Sequence, residues 1–507
     1  AVSSGQPAKP IRTRMLTFPS FLFSLWLLVA SNSSSRKVRR PGSRRDDGLE
    51  ESSSSDGRLG RRRYDRSGTK RSPTSGNPKK NQRRSKQHSK PENHPIRLPE
   101  TTGPDGVRPT YFTCRHTYEE ILMKEIQETF GKIPISSPAP GLVECLQSDN
   151  IPTLFDPVYA LQSLPECVVV SADSIKGISD AIIQDESLLS DIVQTQLREA
   201  PRASLAIHGL VPGMFKGQPN PAMGNRAEKV AENLSKALKK SYGAARNQRS
   251  DDGVVESDTG GERWLLQILL FAPNLAAASL VKCESLTTRN YWPNWHLPAG
   301  MAKVDITDRT MPSSAYRKLM EALECLRIRP HPSTTAFAVD LGACPGGWTS
   351  VLRCNLDCKV LAIDRSPLDP VLMKDPQVEF IQGDAFTFEP PNVSENGSKQ
   401  EVWMVSDVIA YPDRILELIE RWCGGRWATH LVVTMKFQGT EPSFGDLKAS
   451  IDLAKSLGYD CRAKHFFNNK NEVTLMLIQD QAGDCASYPL EPEVLGTPMY
   501  KALLPNR

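Results

Sequence analysis

Ala338-Val-Asp340-Leu-Gly342-Ala-Cys344-Pro345-Gly346-Gly347-Trp348-Thr349 is the stretch whose reading decides the fold. The apolar run from Ala336 to Leu341 predicts a buried parallel strand. It stops at a Gly/Pro cluster, and an amphipathic segment follows, so the expected order is strand, tight turn, helix. Glycines let a backbone approach a ligand with no Cβ in the way. A helix start adds unpaired N–H groups and the positive end of its dipole. The turn from Gly342 to Trp348 therefore suits something small and partly anionic.

The nicotinamide fingerprint G-x-G-x-x-G does not fit, because its second glycine is missing from Gly342-Ala-Cys-Pro-Gly346-Gly347. Asp340 is a second clue. A carboxylate at a strand tip can bind an ammonium, which a dinucleotide lacks and the methionine part of S-adenosyl-L-methionine has. Asp364 ends the next apolar run, Lys359-Val-Leu-Ala-Ile-Asp364, 24 residues further on. That is about where an acid hydrogen-bonds ribose hydroxyls. Asp384, in Ile381-Gln-Gly-Asp384, ends a third strand and is placed to meet an adenine amino group. Three successive strand tips carrying aspartate fit a methyltransferase. The plainer reading is a doubly wound domain whose aspartates only cap helix starts.

Working outward, charge is uneven. Residues 1–108 hold 24 Lys+Arg and 9 Asp+Glu, and the remainder holds 39 basic and 49 acidic residues. The basic balance belongs to the N-terminal tail, so RNA binding by the body would need a local patch. Eleven cysteines with no C-x-x-C argue against a disulfide framework and a zinc site. No metal is expected.

Leu16–Ala30 is an apolar run of 15 residues behind Arg12 and Arg14, with Met15 a candidate start. It is short for a membrane span and suits the h-region of a targeting signal. Secretion sits badly with many unpaired thiols, so import into a plastid or mitochondrion is expected. A membrane anchor competes, and the nucleus or cytoplasm is the alternative compartment. Residues 31–108 are rich in Ser, Arg, Lys, Pro and Gly and too poor in large apolar side chains to offset ordering entropy. They are expected to be disordered. Their basic clusters serve to steer RNA, as nuclear or plastid targeting signals, or simply as a solvated linker.

Order is expected from Thr110. Thr117–Phe130 has helical spacing, with Thr117 as its cap. Strands are predicted at Gly141–Leu146, Glu166–Ser171, Ser204–His208 and Trp264–Phe271, and a helix at Asn225–Tyr242 before the acidic loop Ser250–Glu262. Mixed strands and helices make a separate α+β domain over 109–297. His208 reads as structural.

In the second half, Pro312–Leu326 is a predicted helix with Leu319, Ala322, Leu323 and Leu326 on one face, Lys318 about one turn in, and Ser313 or Ser314 as its cap. Val402–Asp407 is a strand ending in an acid. His430–Lys436 ends in a lysine at the edge that faces a ligand crevice. Glu472–Ile478 opens with a carboxylate at that rim. Methyl transfer to a hydroxyl needs the oxygen aimed in line and relieved of its proton. Lysine can act as a base when burial or a second cation lowers its pKa. Lys436 is the candidate base, Lys318 the second cation, and Asp407 and Glu472 the carboxylates that hold them. Singly, each is more often a solvated edge residue.

At this point the sequence resembles the FtsJ/RlmM-type ribose 2′-O-methyltransferases. The resemblance rests on Pro312-Ser313 to Glu321-Ala322, Val339–Thr349, Ser406-Asp407 to Pro412, Met435-Lys436, and Lys464-His465-Phe-Phe to Thr474. It is strong over 312–478 and fades back to Tyr111–Ile126, where that family carries a THUMP-type RNA-binding domain behind a ferredoxin-like segment. The resemblance implies an α/β fold: a Rossmann-like S-adenosylmethionine-dependent methyltransferase domain over 298–482, preceded by the α+β THUMP-like domain and the disordered basic tail, and followed by a tail over 483–507. It implies a catalytic Lys-Asp-Lys-Glu tetrad at Lys318, Asp407, Lys436 and Glu472. Cofactor contacts carry over to Cys344, Pro345, Gly346, Gly347, Asp364, Asp384 and Asp407. The implied substrate is a ribose of large-subunit ribosomal RNA.

Three positions depart from the family. A cofactor-contacting serine falls at Ala315, an acid expected after Asp407 is Ala410, and the basic loop after Lys436 is Phe437-Gln-Gly-Thr-Glu441. Transfer RNA or an mRNA cap are alternative substrates. An inactive RNA-binding homologue and a nucleotide-dependent oxidoreductase are the alternative classes.

Overall fold

The computed structural model describes residues 108–489 apart from 147–150, 191–193, 196–203, 213–220, 243–244, 248–262, 286–290, 295, 303, 305–309, 331–336, 391–400, 440 and 481–487. All of them lie in one compact unit, His88–Arg507. The apolar segment Leu16–Ala30, the basic tail up to 107 and the acidic loop 250–262 fall outside the described residues.

The chain first builds β1 (Thr110–Cys114), α1 (Glu119–Phe130), β2 (Ile135–Ala139), β3 (Leu142–Cys145) and β4 (Ala160–Leu164). These strands form an antiparallel sheet in the order β2-β3-β1-β4. The expected cap on α1 does not form. Thr117 has φ of 77°, and the helix starts with no side-chain cap. Glu119 instead accepts from the Gly141 N–H at 2.5 Å, tying the helix start to the β2–β3 turn.

A second sheet follows from β5 (Val168–Ser171), α2 (Ile175–Gln184), β6 (Ser204–Leu210), α3 (Pro221–Tyr242), β7 (Ala245–Asn247), β8 (Arg263–Ala272), β9 (Leu275–Ser285) and β10 (Tyr291–Trp292). Its order is β10-β9-β8-β6-β7, with β5 also paired to β9. His208 is fully buried on β6.

The remainder comprises α4 (Tyr316–Leu326), β11 (Ile328–Arg329), β12 (Phe337–Leu341), α5 (Gly347–Ser350), β13 (Lys359–Asp364), β14 (Val378–Gln382), β15 (Val402–Ser406), α6 (Pro412–Gly424), β16 (His430–Lys436), α7 (Phe444–Ser456), β17 (Tyr459–Lys464), β18 (Glu472–Gln479) and β19 (Tyr488–Pro489). Seven strands make one sheet, β14-β13-β12-β15-β16-β18-β17. It is parallel from β14 to β16, and β18 runs antiparallel to both of its neighbours. The apolar runs at β12, β15 and β16 are buried throughout except at their end residues, as strands covered on both faces must be. Beyond the sheet, β19 pairs with β11, so the expected C-terminal tail includes a short strand.

The winding direction reverses between β12 and β15, and a crevice opens at such a switch point beyond the carboxyl ends of the strands. Because β18 is antiparallel, its first residue reaches the same rim. The end of β12, the residue after β15, the end of β16 and the start of β18 are thereby brought together.

The α+β half was expected to be separate. The sheets do divide near residue 297, but the core does not. Phe112, Leu122 and Ile126 share one hydrophobic cluster with Val339, Leu431 and Leu475. Polar contacts reinforce the join. Arg462 Nε lies 2.8 Å from Asp156, and the His465 N–H donates to the Val158 carbonyl at 2.8 Å. A sheet face left uncovered by its own helices must bury itself elsewhere, and here each half supplies the other's cover.

Candidate active site

The glycine turn is dictated by close packing. Gly342 and Gly346 have φ of 77° and 112°, where a side chain is strained. A Cβ on Gly346 would stand 2.2 Å from Leu372 Cδ1, and one on Gly347 2.2 Å from Ser313 Oγ. The turn leads into α5, which is a single helical turn continued by a π turn over Val351–Asn355, shorter than the amphipathic segment predicted. Neither Ser313 nor Ser314 caps α4. Ser313 Oγ accepts from the Ala315 N–H ahead of the helix, at 3.3 Å.

Two of the expected ligand residues face inward. Asp340 is 1% exposed, and Thr349 Oγ1 donates to its carboxylate at 2.6 Å. Burial pushes its carboxyl up to about 7, against the Thr349 hydrogen bonds that favour ionisation. The Asp340 side chain thus points under α5 toward Thr349. Trp348 is also buried, and its indole N–H donates to the Ala315 carbonyl at 2.8 Å, pinning α4 to the turn.

The remaining acids stay at the rim. Asp364 accepts from the Cys344 N–H at 2.9 Å and the Ser366 N–H at 2.8 Å, which ties the end of β13 to the turn. Asp384 is partly exposed and accepts from the Phe386 N–H at 2.9 Å and from Arg365 at 2.5 Å; these hold its carboxyl below the usual range. Cys344 is half-buried, Pro345 exposed and Gly346 buried.

Lys318, Asp407, Lys436 and Glu472 meet beside this turn. Lys318 Nζ donates to both Asp407 oxygens at 2.9 Å and lies 2.8 Å from Glu472 Oε1. Lys436 Nζ donates to the Asp407 carboxylate at 2.9 Å, to the Asp407 carbonyl at 2.6 Å and to the Val408 carbonyl at 3.2 Å. Glu472 Oε2 is 3.9 Å from Lys436. Lys436 and Glu472 are register partners on adjacent antiparallel strands, so their side chains leave the sheet on one face.

Burial alone would raise the Asp407 carboxyl, but Lys436 and Lys318 outweigh it and hold the group below its ordinary range. For Lys318 burial works downward, and Asp407 and Glu472 together push it above the usual lysine value. Asp407 is thereby held ionised and Lys318 protonated within a cluster of two amines and two carboxyl groups. Removing one member would leave an uncompensated, largely buried charge.

The structure adds residues the sequence reading missed. Thr434 Oγ1 donates to Asp407 at 2.7 Å. It lies two residues before Lys436 on the same strand face, a period-2 signal that was legible. Glu321, one helical turn past Lys318, is buried, pushed up to about 7 by burial, and accepts from the Asn468 N–H at 2.9 Å. From the connection between β1 and α1, Arg115 donates to the Asn469 carbonyl and Tyr118 OH to the Lys470 carbonyl at 2.8 Å. These three grip the segment leading into Glu472, and no local signal marked Arg115 or Tyr118.

Among the described residues no group of three His, Cys, Asp or Glu is placed to hold a metal ion. The ten described cysteines are free thiols, nine of them buried.

The FtsJ-like methyltransferase family matches residues 311–428. Ribosomal RNA large subunit methyltransferase M of Halorhodospira halophila is 35% identical over 182 residues, 35% of this chain and 50% of that protein. The protein of the same name from Shewanella oneidensis is 25% identical over 389 residues, 72% of this chain and 96% of its own length. The chain thus spans about half the length of the first relative. Among solved structures, TrmN from Thermus thermophilus is 11% identical, covers 73% of this chain and 99% of its own, and has a TM-score of 0.22, so the fold rests on the strand order above. Residues 311–428 thus match the FtsJ-like methyltransferase family, and the chain is similar to the proteins named ribosomal RNA large subunit methyltransferase M over the spans given above.

Proposed function

We propose that this protein transfers a methyl group from S-adenosyl-L-methionine to a ribose 2′-hydroxyl of RNA, with large-subunit ribosomal RNA as its substrate. The observation that carries this reading is the convergence of Lys318, Asp407, Lys436 and Glu472 at the rim beside the Gly342–Gly347 turn. The donor set suits the cofactor. Acids stand at or just past the ends of three parallel strands, Asp364, Asp384 and Asp407, beside the turn. The turn with Cys344 and Pro345 would hold the methionine part, Asp364 the ribose and Asp384 the adenine. When bound, the cofactor supplies an electrophilic methyl on a sulfonium.

Lys436 would act as the neutral amine, its ammonium proton first released to solvent, and its lone pair would then take the proton of the acceptor hydroxyl while the bound cofactor supplied the methyl group. Lys318 orients that oxygen and lends it positive charge. Asp407, fixed by Thr434, and Glu472 hold both amines in place. Positioning supplies much of the rate in such a site. Residues 109–297 serve as a THUMP-like RNA-binding part. The segment around Leu16–Ala30 acts as an organelle import signal, removed after entry; imaging of a tagged chain tests this.

The full chain with S-adenosylmethionine and large-subunit ribosomal RNA from cells lacking the protein should yield one new 2′-O-methyl site by ribose-methylation mapping. Lys436→Ala should keep cofactor binding and lower turnover by roughly 10²–10⁴-fold, the usual worth of a general base. Methylation of transfer RNA or cap instead would move the substrate, and near-normal turnover in Lys436→Ala would remove the base assignment.

A further inference from the structure

The segment Val408–Tyr411 lies between the glycine turn and the tetrad. Its backbone is fixed at both ends. The Val408 carbonyl accepts from Lys436 at 3.2 Å, and Val408 Cβ lies 3.0 Å from where a Cβ on Gly342 would stand. At the other end the Tyr411 carbonyl accepts from the Arg414 and Ile415 N–H groups at the start of α6.

Between these anchors the side chains alternate. Val408 and Ala410 pack against the hydrophobic core, while Ile409 and Tyr411 point to solvent. In a half-buried extended segment the outward residues are ordinarily polar. Here they are an isoleucine 90% exposed and a tyrosine 58% exposed. Among the described residues the other exposed large apolar side chains are Leu154 at 48% and Met373 at 43%, both less exposed than these two. One exposed apolar residue on a surface needs no explanation, but two on one face beside a reactive amine mark a contact site.

The occupant follows from reach. A ribose hydroxyl that gives its proton to Lys436 carries its own base within a few ångströms; Ile409 directly follows Val408, whose carbonyl accepts from that amine, and Tyr411 stands two residues further on. A base inside a duplex has both faces covered. An unstacked base exposes an apolar face that an aromatic ring and an aliphatic side chain can cover. We propose that Ile409 and Tyr411 form a stacking platform for an unpaired base at the acceptor site, so that the enzyme takes its target nucleotide from single-stranded or splayed RNA. This rests on the reading of the protein as an RNA ribose methyltransferase. Tyr411 covers the base face, and Ile409 keeps water from the gap beside Lys436.

The test uses the full chain, S-adenosylmethionine, large-subunit ribosomal RNA from cells lacking the protein, and a fluorescein-labelled single-stranded RNA with its duplex. Tyr411→Ala should raise KM for the ribosomal RNA by roughly 5–150-fold, the span that loss of an aromatic base stack gives, and Ile409→Ala should raise it by less. Affinity for S-adenosylmethionine and kcat should stay near wild type. Tyr411→Phe should restore KM, and the wild-type preference for the single strand over its duplex should shrink in both alanine variants. Unchanged KM and strand preference in an otherwise active enzyme would overturn the platform and leave the methyltransferase reading standing. Failure of the wild-type chain to methylate any RNA would remove that reading and this inference with it.

Discussion

Lys436 has an acceptor for each of three N–H bonds, the Asp407 carboxylate, the Asp407 carbonyl and the Val408 carbonyl. Charge and proton transfer can be separated at this position. Arginine keeps a positive charge and donors but cannot give up a proton in a protein. Lys436→Arg should retain thermal stability near wild type yet lose turnover as Lys436→Ala does, checked by single-turnover methyl transfer alongside a melting curve. Recovery of activity in the arginine variant would reassign the residue to electrostatic positioning. Asp340 tests a buried acid of the opposite kind. Its carboxyl is pushed up to about 7 by burial, whereas an unfolded aspartate titrates at about 4. Between those values the folded state holds a proton that the unfolded state has lost, so this group's contribution to stability falls as pH rises through that window. Asp340→Asn is neutral at every pH and keeps an oxygen for Thr349. Its melting temperature should therefore decline less steeply than wild type from pH 5 to pH 7, and parallel slopes would refute the assignment.

At the scale of elements, the turn between β12 and α5 is where packing leaves least room. Gly346 combines a φ of 112° with the Leu372 side chain lying over it. Gly346→Ala would strain the backbone and displace Leu372, at a cost of about 1–3 kcal/mol from backbone strain alone. A lower denaturation midpoint with an unchanged m-value would show it. Elsewhere the elements follow from short-range pattern. The β13 and β16 runs end where the last apolar residue meets Asp364 or Lys436, and α4 buries Leu319, Ala322, Leu323 and Leu326 as its spacing requires. Thr117 shows the limit of such reading. Its sequence context suits a cap, yet the nearby β2–β3 turn recruits Glu119 and the helix begins differently.

Across the whole molecule, the two halves are not independent. Arg115 and Tyr118, between β1 and α1, hold the segment that ends in Glu472, with the Tyr118 ring 4.1 Å from that of His465. Arg115→Ala should loosen Glu472 and lower kcat severalfold while leaving the KM for S-adenosylmethionine unchanged. An equal change in both would point to general destabilisation. Since the core is continuous from Phe112 to Leu475, a fragment beginning at residue 298 would expose apolar surface that the first sheet covers. Such a fragment should aggregate or melt well below the full chain, and a cooperative transition at the full-length temperature would show that the halves fold apart.

By itself the sequence determined the parallel strands, the glycine turn and the four tetrad residues, because apolar runs, glycine spacing and charged strand ends are local properties that survive without knowledge of partners. Only the tertiary structure decided which acids face the crevice. Asp340 is the last residue but one of β12 and Asp364 the last of β13, and one turns under α5 while the other turns toward Cys344. It also decided that Arg115, Tyr118 and Glu321 support Glu472, and that Ile409 and Tyr411 stand exposed beside Lys436. These are long-range packing outcomes, set by which faces remain to be covered once the strands have assembled, and no stretch of neighbouring residues encodes them.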